Sequence, residues 1–311
     1  MRRLYFCGSA LLLVTVVLGA CSSSDGSKSP AGIASQDGGP RSTSSDATTT
    51  PPVTTTPNAT TTAESVTING VSRVYFLSIP NGIDKTKPYP LVMELHGSPG
   101  SAAIQATDQF DLASGKDAIV VYPQALNQDN GAFSWDLASA APNNADIGLI
   151  EALPGELKAK GLNIDLRKVF GYGYSGGAFF LQVYQCLGTK VFRAISALAG
   201  GAPESLSKDQ GGPIAGETAN GCVQCPGTPV PELIIFGQLD ESQGGDFQAL
   251  CQAEASGCDL HSLTSTQPTP CQTYNGCPPD KSLEYCNIPG LGHQGWSEAN
   301  TTSWGFFKTY L

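Results

Sequence analysis

The sequence predicts an α/β fold, a mostly parallel sheet with helices on both faces, and three observations predict it. Short apolar runs recur along the chain, helical stretches fall between them, and a hairpin signal precedes them all. The runs are Leu91-Val92-Met93-Glu94-Leu95, Ala118-Ile119-Val120-Val121-Tyr122, Val169-Phe170, Ala194-Ile195-Ser196-Ala197-Leu198 and Leu233-Ile234-Ile235-Phe236. A run apolar on both faces suits a strand buried on both sides, which is the setting of a parallel sheet. Helical stretches run from Ala145 to Lys160 and from Gly177 to Leu187, and strands alternating with helices pack as a sheet between two helical layers. Pro154 has no N–H to donate, so it is expected to bend or split the first helix. Ahead of the runs, Val66-Thr67-Ile68 and Val71 to Ile79 flank Asn69-Gly70, a strong hairpin signal.

One folded domain is expected over residues 64–311, a size that a single α/β domain takes. Residues 22–63 consist largely of Ser, Thr, Pro, Gly, Asp and Ala and contain no aromatic residue. Such a chain buries too little apolar surface to offset its ordering entropy, so it reads as a disordered linker. Residues 1–20 read as a signal peptide, with Arg2 and Arg3 ahead of an apolar run from Leu11 to Leu18 and small residues after it. Leu18-Gly19-Ala20-Cys21 resembles the bacterial lipobox. Cys21 is therefore the expected lipid anchor, which tethers a protein to a membrane without spanning it. The expected location is exported, either extracellular or on the cell envelope.

The formal charge of -10 becomes -12 once a leader carrying Arg2 and Arg3 but no acid is removed. A surface that acidic repels phosphate backbones, so no nucleic-acid partner is expected. Eight cysteines fall in the folded part: Cys186, Cys222, Cys225, Cys251, Cys258, Cys271, Cys277 and Cys286. An even number in an oxidising compartment reads as disulfides, with a connectivity that sequence cannot give. Cys222-x-x-Cys225 lacks a second Cys/His pair at finger spacing, so no zinc or other metal is expected.

The stretch Val169-Phe170-Gly171-Tyr172-Gly173-Tyr174-Ser175-Gly176-Gly177-Ala178-Phe179-Phe180 carries Gly-x-Ser-x-Gly between an apolar strand and a helical run. That is the context of a nucleophile elbow. In so tight a turn, side chains at Gly173 and Gly177 would collide with neighbouring backbone. The serine is pushed clear of the sheet at a helix N-terminus, where free N–H groups favour negative charge. Ser175 is the expected nucleophile, and a hydroxyl needs a base to take its proton. The chain has three histidines, His96, His261 and His293. In this kind of site the order is serine, acid, histidine, which excludes His96. His293 lies in the Gly-rich loop Pro289-Gly290-Leu291-Gly292-His293-Gln294-Gly295-Trp296 after the strand-like Leu283-Glu284-Tyr285. It is the expected base, and His261, among cysteines, is the alternative. Asp240 follows an apolar strand and a glycine turn and is the expected acid, with Glu241 and Asp246 as rivals. The N–H of Gly176 and one from Gly97 or Ser98 are the expected oxyanion donors. Pro99 has no N–H, and His96 is expected to order this loop.

These pieces resemble the extracellular poly(3-hydroxybutyrate) depolymerase and feruloyl/acetylxylan esterase family of α/β-hydrolases, through nearly all of residues 64–311. Matching pieces are Leu95-His96-Gly97, Val121-Tyr122-Pro123-Gln124, Trp135, Asp146-Ile147-Gly148-Leu149-Ile150, the Gly-Tyr-Ser-Gly-Gly elbow and Ala197-Leu198-Ala199-Gly200-Gly201. Asp240, Cys271-Gln272-Thr273-Tyr274-Asn275-Gly276-Cys277, Cys286 and Gly292-His293 continue the match. Two departures stand out: Phe236-Gly237 where the family has His-Gly before its acid, and Gly295 ahead of Trp296 where Trp-Pro usually follows the base closely. The resemblance implies an α/β-hydrolase fold and a carboxylic ester hydrolase working through an acyl-Ser175 intermediate. Its chemistry needs no metal or cofactor. The implied substrates are polymeric: feruloyl or acetyl esters on plant polysaccharide or, alternatively, polyhydroxybutyrate. Trp135, Tyr174 and Trp296 are the candidates for substrate contact, with a core position the equal alternative for Trp135. The likeness and the short loop make Cys271–Cys277 the first expected disulfide. A serine peptidase and a non-catalytic anchored binding module are the other classes weighed, and a monomer is expected.

Overall fold

The computed structural model describes residues 54–129, 131–140, 142–188, 191–240 and 244–311. The leader, Cys21, the linker as far as residue 53 and Glu241 lie outside the described residues. No helix among the described residues is long and apolar enough to cross a membrane.

The chain first lays down three strands, β1 (Thr54–Thr55), β2 (Ala59–Ile68) and β3 (Val71–Pro80). Then come β4 (Tyr89–Leu95), β5 (Ile119–Pro123) and a separate hairpin of β6 (Asn127–Asp129) and β7 (Ala132–Ser134). The remaining strands are β8 (Ile164–Tyr174), β9 (Ala194–Leu198), β10 (Glu232–Gly237), β11 (Leu263–Ser265), β12 (Cys271–Tyr274) and β13 (Leu283–Ile288). All but the small hairpin join one sheet in the order β1-β2-β3-β5-β4-β8-β9-β10-β13-β12-β11. The six strands from β5 to β13 in that order run parallel, and antiparallel strands finish both edges. The five apolar runs are β4, β5, β8, β9 and β10, as expected of buried parallel strands.

The helices are α1 (Ala102–Gln105), α2 (Asp111–Ser114), α3 (Ala145–Ala159), α4 (Gly176–Cys186), α5 (Gly245–Ser256) and α6 (Ala299–Lys308). Successive strand residues face opposite sides of the sheet, and the cores divide accordingly. Leu91, Met93, Ile119 and Val121 pack with Ile150 and Leu153 of α3 and Phe180 and Leu181 of α4. Val92, Val120 and Tyr122 pack on the other face with Phe110, Trp304 and Phe307. Helices thus cover both faces, as the sequence predicts.

In the turn joining β2 and β3, Asn69 has φ 50° and Gly70 φ 80°. Positive φ at both central residues makes the type I′ turn that Asn-Gly favours, and it sets Ile68 opposite Val71.

Three expectations need correction. Composition places residues 54–63 in the linker, yet Ala59 and Thr61 are buried in β2 and pair with Pro80 and Ser78 of β3. Thr56 donates its hydroxyl to Asp111 Oδ2 at 2.5 Å. A Thr-rich run looks like linker by composition, but β-branched threonines are good strand formers once a partner strand is present. Pro154 does not split its helix: α3 is one helix of 15 residues. Burial of Leu149, Ile150, Leu153 and Leu157 in one core holds it together.

The pairing Cys271–Cys277 is also incorrect. The bridges are Cys186–Cys225, Cys222–Cys251, Cys258–Cys277 and Cys271–Cys286. Cys271 lies directly opposite Cys286 in the β12–β13 ladder, whereas the turn after β12 carries Cys277 to Cys258 at the end of α5. Nearness in sequence says nothing about which residue a ladder sets opposite. Four bridges are what folding in an oxidising compartment permits.

Candidate active site

The elbow forms where β8 turns into α4. Ser175 has φ 48° and ψ -116°, a conformation that costs a non-glycine residue on the order of 1–3 kcal/mol and that clusters at functional sites. Two glycines permit the turn. A Cβ at Gly173 would lie 2.6 Å from the backbone carbonyl of Gly177, and one at Gly177 would lie 2.7 Å from Leu95 C and 2.8 Å from His96 O. The backbone N–H of Ser175 donates to Leu198 O at 2.9 Å, which holds the residue over the end of β9.

Asp240 and His293 come from the loops after β10 and β13. These loops are laced together, since Gln238 N–H donates to Ile288 O at 3.0 Å and Leu239 N–H to Leu291 O at 2.8 Å. Gly237 is the point of closest approach, where a Cβ would lie 2.6 Å from Gly292 O. The result is a line of hydrogen bonds: His293 Nδ1 is 2.8 Å from Asp240 Oδ2, and His293 Nε2 is 2.9 Å from Ser175 Oγ. A carboxylate only accepts, so Nδ1 carries the proton and Nε2 is left to accept from the serine hydroxyl. The Asp240 side chain is fully buried while that of His293 is 33% exposed, an arrangement that leaves the serine and the imidazole open to a reactant.

The loop after β4 lies against the elbow, with an added Cβ at Gly97 3.5 Å from Ser175 Cβ and one at Gly176 2.8 Å from Ser98 N. His96 sets the direction of this loop. It is buried, and its Nε2 faces the N–H of Ala125 at 3.2 Å and the Gln124 amide at 3.0 Å. Nε2 therefore accepts and Nδ1 donates to Gly97 O at 2.7 Å. In a trans peptide the C=O and N–H point opposite ways. With Gly97 O drawn toward the His96 ring, the Ser98 N–H is turned the other way, toward Gly176. Burial holds the His96 pKa below its ordinary value, which keeps the ring neutral in this role. Gly176 is the first residue of α4, so its N–H has no acceptor within the helix.

Trp135 does not face a substrate. It is 4% exposed, donates Nε1–H to His96 O at 2.7 Å and stands between the His96 and Phe180 rings, both at 4.9 Å. It buttresses the loop after β4. Tyr174 is half-buried, with its ring 5.9 Å from that of His293, and Trp296 is half-buried three residues after His293. His261 is exposed, with its N–H on Asp259 Oδ1, just before the outermost strand β11. Asp246 accepts from Tyr285 Oη at 2.6 Å.

Sequence reasoning missed a buried carboxyl one residue before the end of β4. Glu94 is wholly buried and accepts from Gln105 Nε2 at 2.6 Å. Burial, reinforced by Asp108 beside it, pushes the Glu94 carboxyl well above the usual carboxylate range. A lone Glu inside an apolar strand was the available signal. No group of metal-ligating side chains occurs among the described residues.

The chain is similar to feruloyl esterase C of Emericella nidulans, 30% identical over 144 residues, 43% of this chain and 50% of that protein. It is 30% identical over 130 residues to poly(3-hydroxyalkanoate) depolymerase C of Paucimonas lemoignei, 40% of this chain and 31% of that protein. These are the relatives to which the motifs point, although the chain spans about half the length of the feruloyl esterases it matches. No family model matches. Among solved structures, an acetyl xylan esterase from Aspergillus awamori superposes with TM-score 0.58 at 17% identity, over 79% of this chain and 99% of that one. A cold-adapted esterase from an Arctic intertidal metagenomic library gives 0.54 at 13%, over 83% and 97%. The fold is that of the α/β-hydrolases.

Proposed function

We propose that this domain is an exported carboxylic ester hydrolase with a Ser175-His293-Asp240 triad, acting on feruloyl or acetyl esters carried by polysaccharide. The observation that carries the reading is the unbroken line of hydrogen bonds from buried Asp240 through His293 to Ser175 at a helix N-terminus. Ser175 Oγ attacks the ester carbonyl while its proton passes to His293 Nε2, and Asp240 stabilises the imidazolium that forms. The tetrahedral oxygen is held by the N–H groups of Gly176 and Ser98. His293 then protonates the departing alcohol, and in the second half it takes a proton from the water that frees the acid. Polysaccharide esters are favoured by the feruloyl esterase relatives, and the depolymerase relative supports polyhydroxyalkanoate as the second reading. An open rim suits a polymer: Leu239, beside Asp240, is 62% exposed, and Gln294, Gly295 and Ser297 are exposed beyond His293. Tyr174 and Trp296 are the proposed substrate contacts. Cys21 is the proposed lipid anchor, which a lipid-bearing N-terminal peptide in mass spectrometry would establish.

A fluorophosphonate should label the wild type at Ser175 and fail on Ser175→Ala. A panel of methyl ferulate, acetylated xylan and polyhydroxybutyrate then ranks the substrates. Turnover of all three by Ser175→Ala at the wild-type rate would overturn the mechanism, and turnover of polyhydroxybutyrate alone would move the substrate to the second reading.

A further inference from the structure

We propose that the end of the domain opposite the triad seats against an anionic lipid bilayer, so that the anchored chain holds Ser175 outward. The inference rests on the reading of Cys21 as a lipid anchor and is independent of which ester is cleaved. A formal charge of -10 says only that acids are in excess over the whole chain. Acids and cations are not evenly placed.

The six parallel strands put the residues that lead into them at one end of the sheet. Lys85 and Lys87 lead into β4 and Lys116 into β5. Lys158 and Lys160 finish α3, which leads into β8, and Arg167 and Lys168 stand in the opening half of that strand. Arg193 leads into β9 and Lys281 into β13, while α6 returns from the far end and brings Lys308 with it. Lys168 and Lys281 are half-buried and the others are exposed. These segments lie side by side. The Asn163 amide donates to Lys85 O and Thr86 O at 3.3 and 3.2 Å. The Arg193 guanidinium lies 5.7 Å over the Tyr310 ring, whose hydroxyl meets that of Ser282. Leu166 and Leu311 are exposed at the same end.

Acids are present here too. Glu64 and Asp165 are taken up by Lys160 and Arg167 at 3.6 and 3.1 Å. Asp84, Asp117, Glu156 and Asp280 stand among the cations, and Glu254 and Asp259 lie toward the β11 edge. The active-site end has the reverse balance. Glu204, Asp209, Asp246 and Glu298 are exposed there, and of its described cations Arg73 is buried against Asp146 while Lys208 faces solvent.

The route of the chain selects a bilayer as the partner. The described residues begin beside the basic end: Asn81, which follows β3 to this end, donates its N–H to Asn58 O at 2.7 Å and its amide to Thr56 O at 3.1 Å. The Asn58 amide donates to Asp111 O at 3.1 Å, just before β5. The chain from Cys21 therefore joins the domain at the end where the cations gather, and Ser175, Asp240 and His293 follow the opposite ends of β8, β10 and β13. The seven residues of β4, at about 3.3 Å each, set the two ends roughly 20 Å apart. Salt screens charge over about 8 Å at physiological strength. Headgroups at the basic end thus attract its Lys and Arg side chains, and the acids around the triad lie beyond their reach. Turned the other way, the domain would present those acids to the lipid and be repelled.

The test uses a tether made chemically. Four bridges occupy the eight cysteines of the domain, so a chain starting at Cys21 has that residue as its remaining thiol. This chain is coupled through Cys21 to a maleimide phospholipid in vesicles of phosphatidylcholine, with or without phosphatidylglycerol. Acetylation by N-hydroxysuccinimidyl acetate is then read at each lysine by peptide mass spectrometry. With phosphatidylglycerol, Lys85, Lys87 and Lys158 should react roughly threefold or more slowly, Lys208 should be unchanged, and high salt should abolish the difference. The triple variant Lys116→Glu, Lys168→Glu, Arg193→Glu should lose the slowing, while its turnover of p-nitrophenyl acetate in solution stays within about twofold. Equal rates on the two kinds of vesicle, or slowing at Lys208 as large as at Lys85, would overturn the proposal. Mass spectrometry of the N-terminal peptide from cells separates the two failures. A Cys21 without lipid would remove the anchor and the bilayer contact with it, whereas a lipidated Cys21 with unslowed lysines would remove the orientation alone.

Discussion

Ser175 and the Gly97–Ser98 loop stand on a stretch of chain with no cysteine between Cys21 and Cys186, whereas Asp240 and His293 stand on loops of a segment threaded by four disulfides. In the first region the strands β4 and β8 have seven and eleven residues in the middle of the sheet, β4 buried throughout and β8 buried from Val169 to Gly173. Positions there are fixed by close backbone approach, and Gly173, Gly176 and Gly177 have no room for a side chain. In the second, β11 and β12 have only three and four residues, and the connections through residues 199–231 and 257–262 carry Cys222, Cys225 and Cys258. Such short strands bury too little to order those connections, so cross-links restrict the unfolded chain instead. Close backbone packing surrounds Ser175, whereas the segment that carries Asp240 and His293 is the cross-linked one.

The largest effect should come from Gly177→Ala. Its Cβ would press on the backbone of Leu95 and His96, which cannot rotate away as a side chain can. Soluble yield or ester turnover should fall by roughly 10³-fold, a loss near 4 kcal/mol if it appears wholly in the barrier. Gly292→Ala, one residue before His293, meets nothing within 4 Å and should keep kcat/KM within about twofold. Equal damage from both would break the distinction between the two regions.

Next come the bridges. Cys271→Ser with Cys286→Ser opens a loop with a sequence separation of 15, which on the chain-entropy account lowers stability by about 3 kcal/mol. Hydrogen exchange should quicken in β12 and β13 well before β4 and β8. Uniform quickening would mean that the two regions open as one.

Glu232 joins the two regions, and its effect should be of similar or smaller size. It lies buried at the start of β10 and accepts from Gln182 and Gln185 of α4 and Gln248 of α5. Burial raises its pKa from 4.5 to about 7. The folded state thus binds the proton more tightly than the unfolded state does. The stabilisation is fully present below about pH 4.5, declines as pH rises, and is gone above about pH 7, a loss on the order of 3 kcal/mol. The stability difference between wild type and Glu232→Gln should change across that window and be flat outside it. A difference flat throughout would show that the carboxyl keeps its ordinary pKa.

The smallest effect tests the edge of the domain. Deleting residues 22–53 should leave the thermal midpoint within about a degree. Extending the deletion through residue 63 should lower it by several degrees, because Thr56, Ala59 and Thr61 are lost.

Much of this architecture was legible in the sequence. The five apolar runs, the Asn-Gly turn and the elbow are local signals that describe their own surroundings, so the parallel strands and the position of Ser175 could be read directly. His293 and Asp240 needed chain order as well as local pattern. What stayed hidden depends on residues distant in sequence. Thr-rich β2 is ordered only by β3, Cys271 finds Cys286 only through the ladder, and Trp135 is a buttress because His96 lies beside it.

The central claim is that His293 is the base, and histidine replacement tests it most directly. With an activated ester, His293→Ala should lose roughly 10³-fold or more in kcat, and Ser175→Ala should fall as far. The double variant should fall little further, because the two act as one unit. His261→Ala should stay within about tenfold of wild type, its ring being exposed beside the edge of the sheet. Retention of most activity by His293→Ala, together with its loss in His261→Ala, would contradict the account and remove Asp240 from it as well.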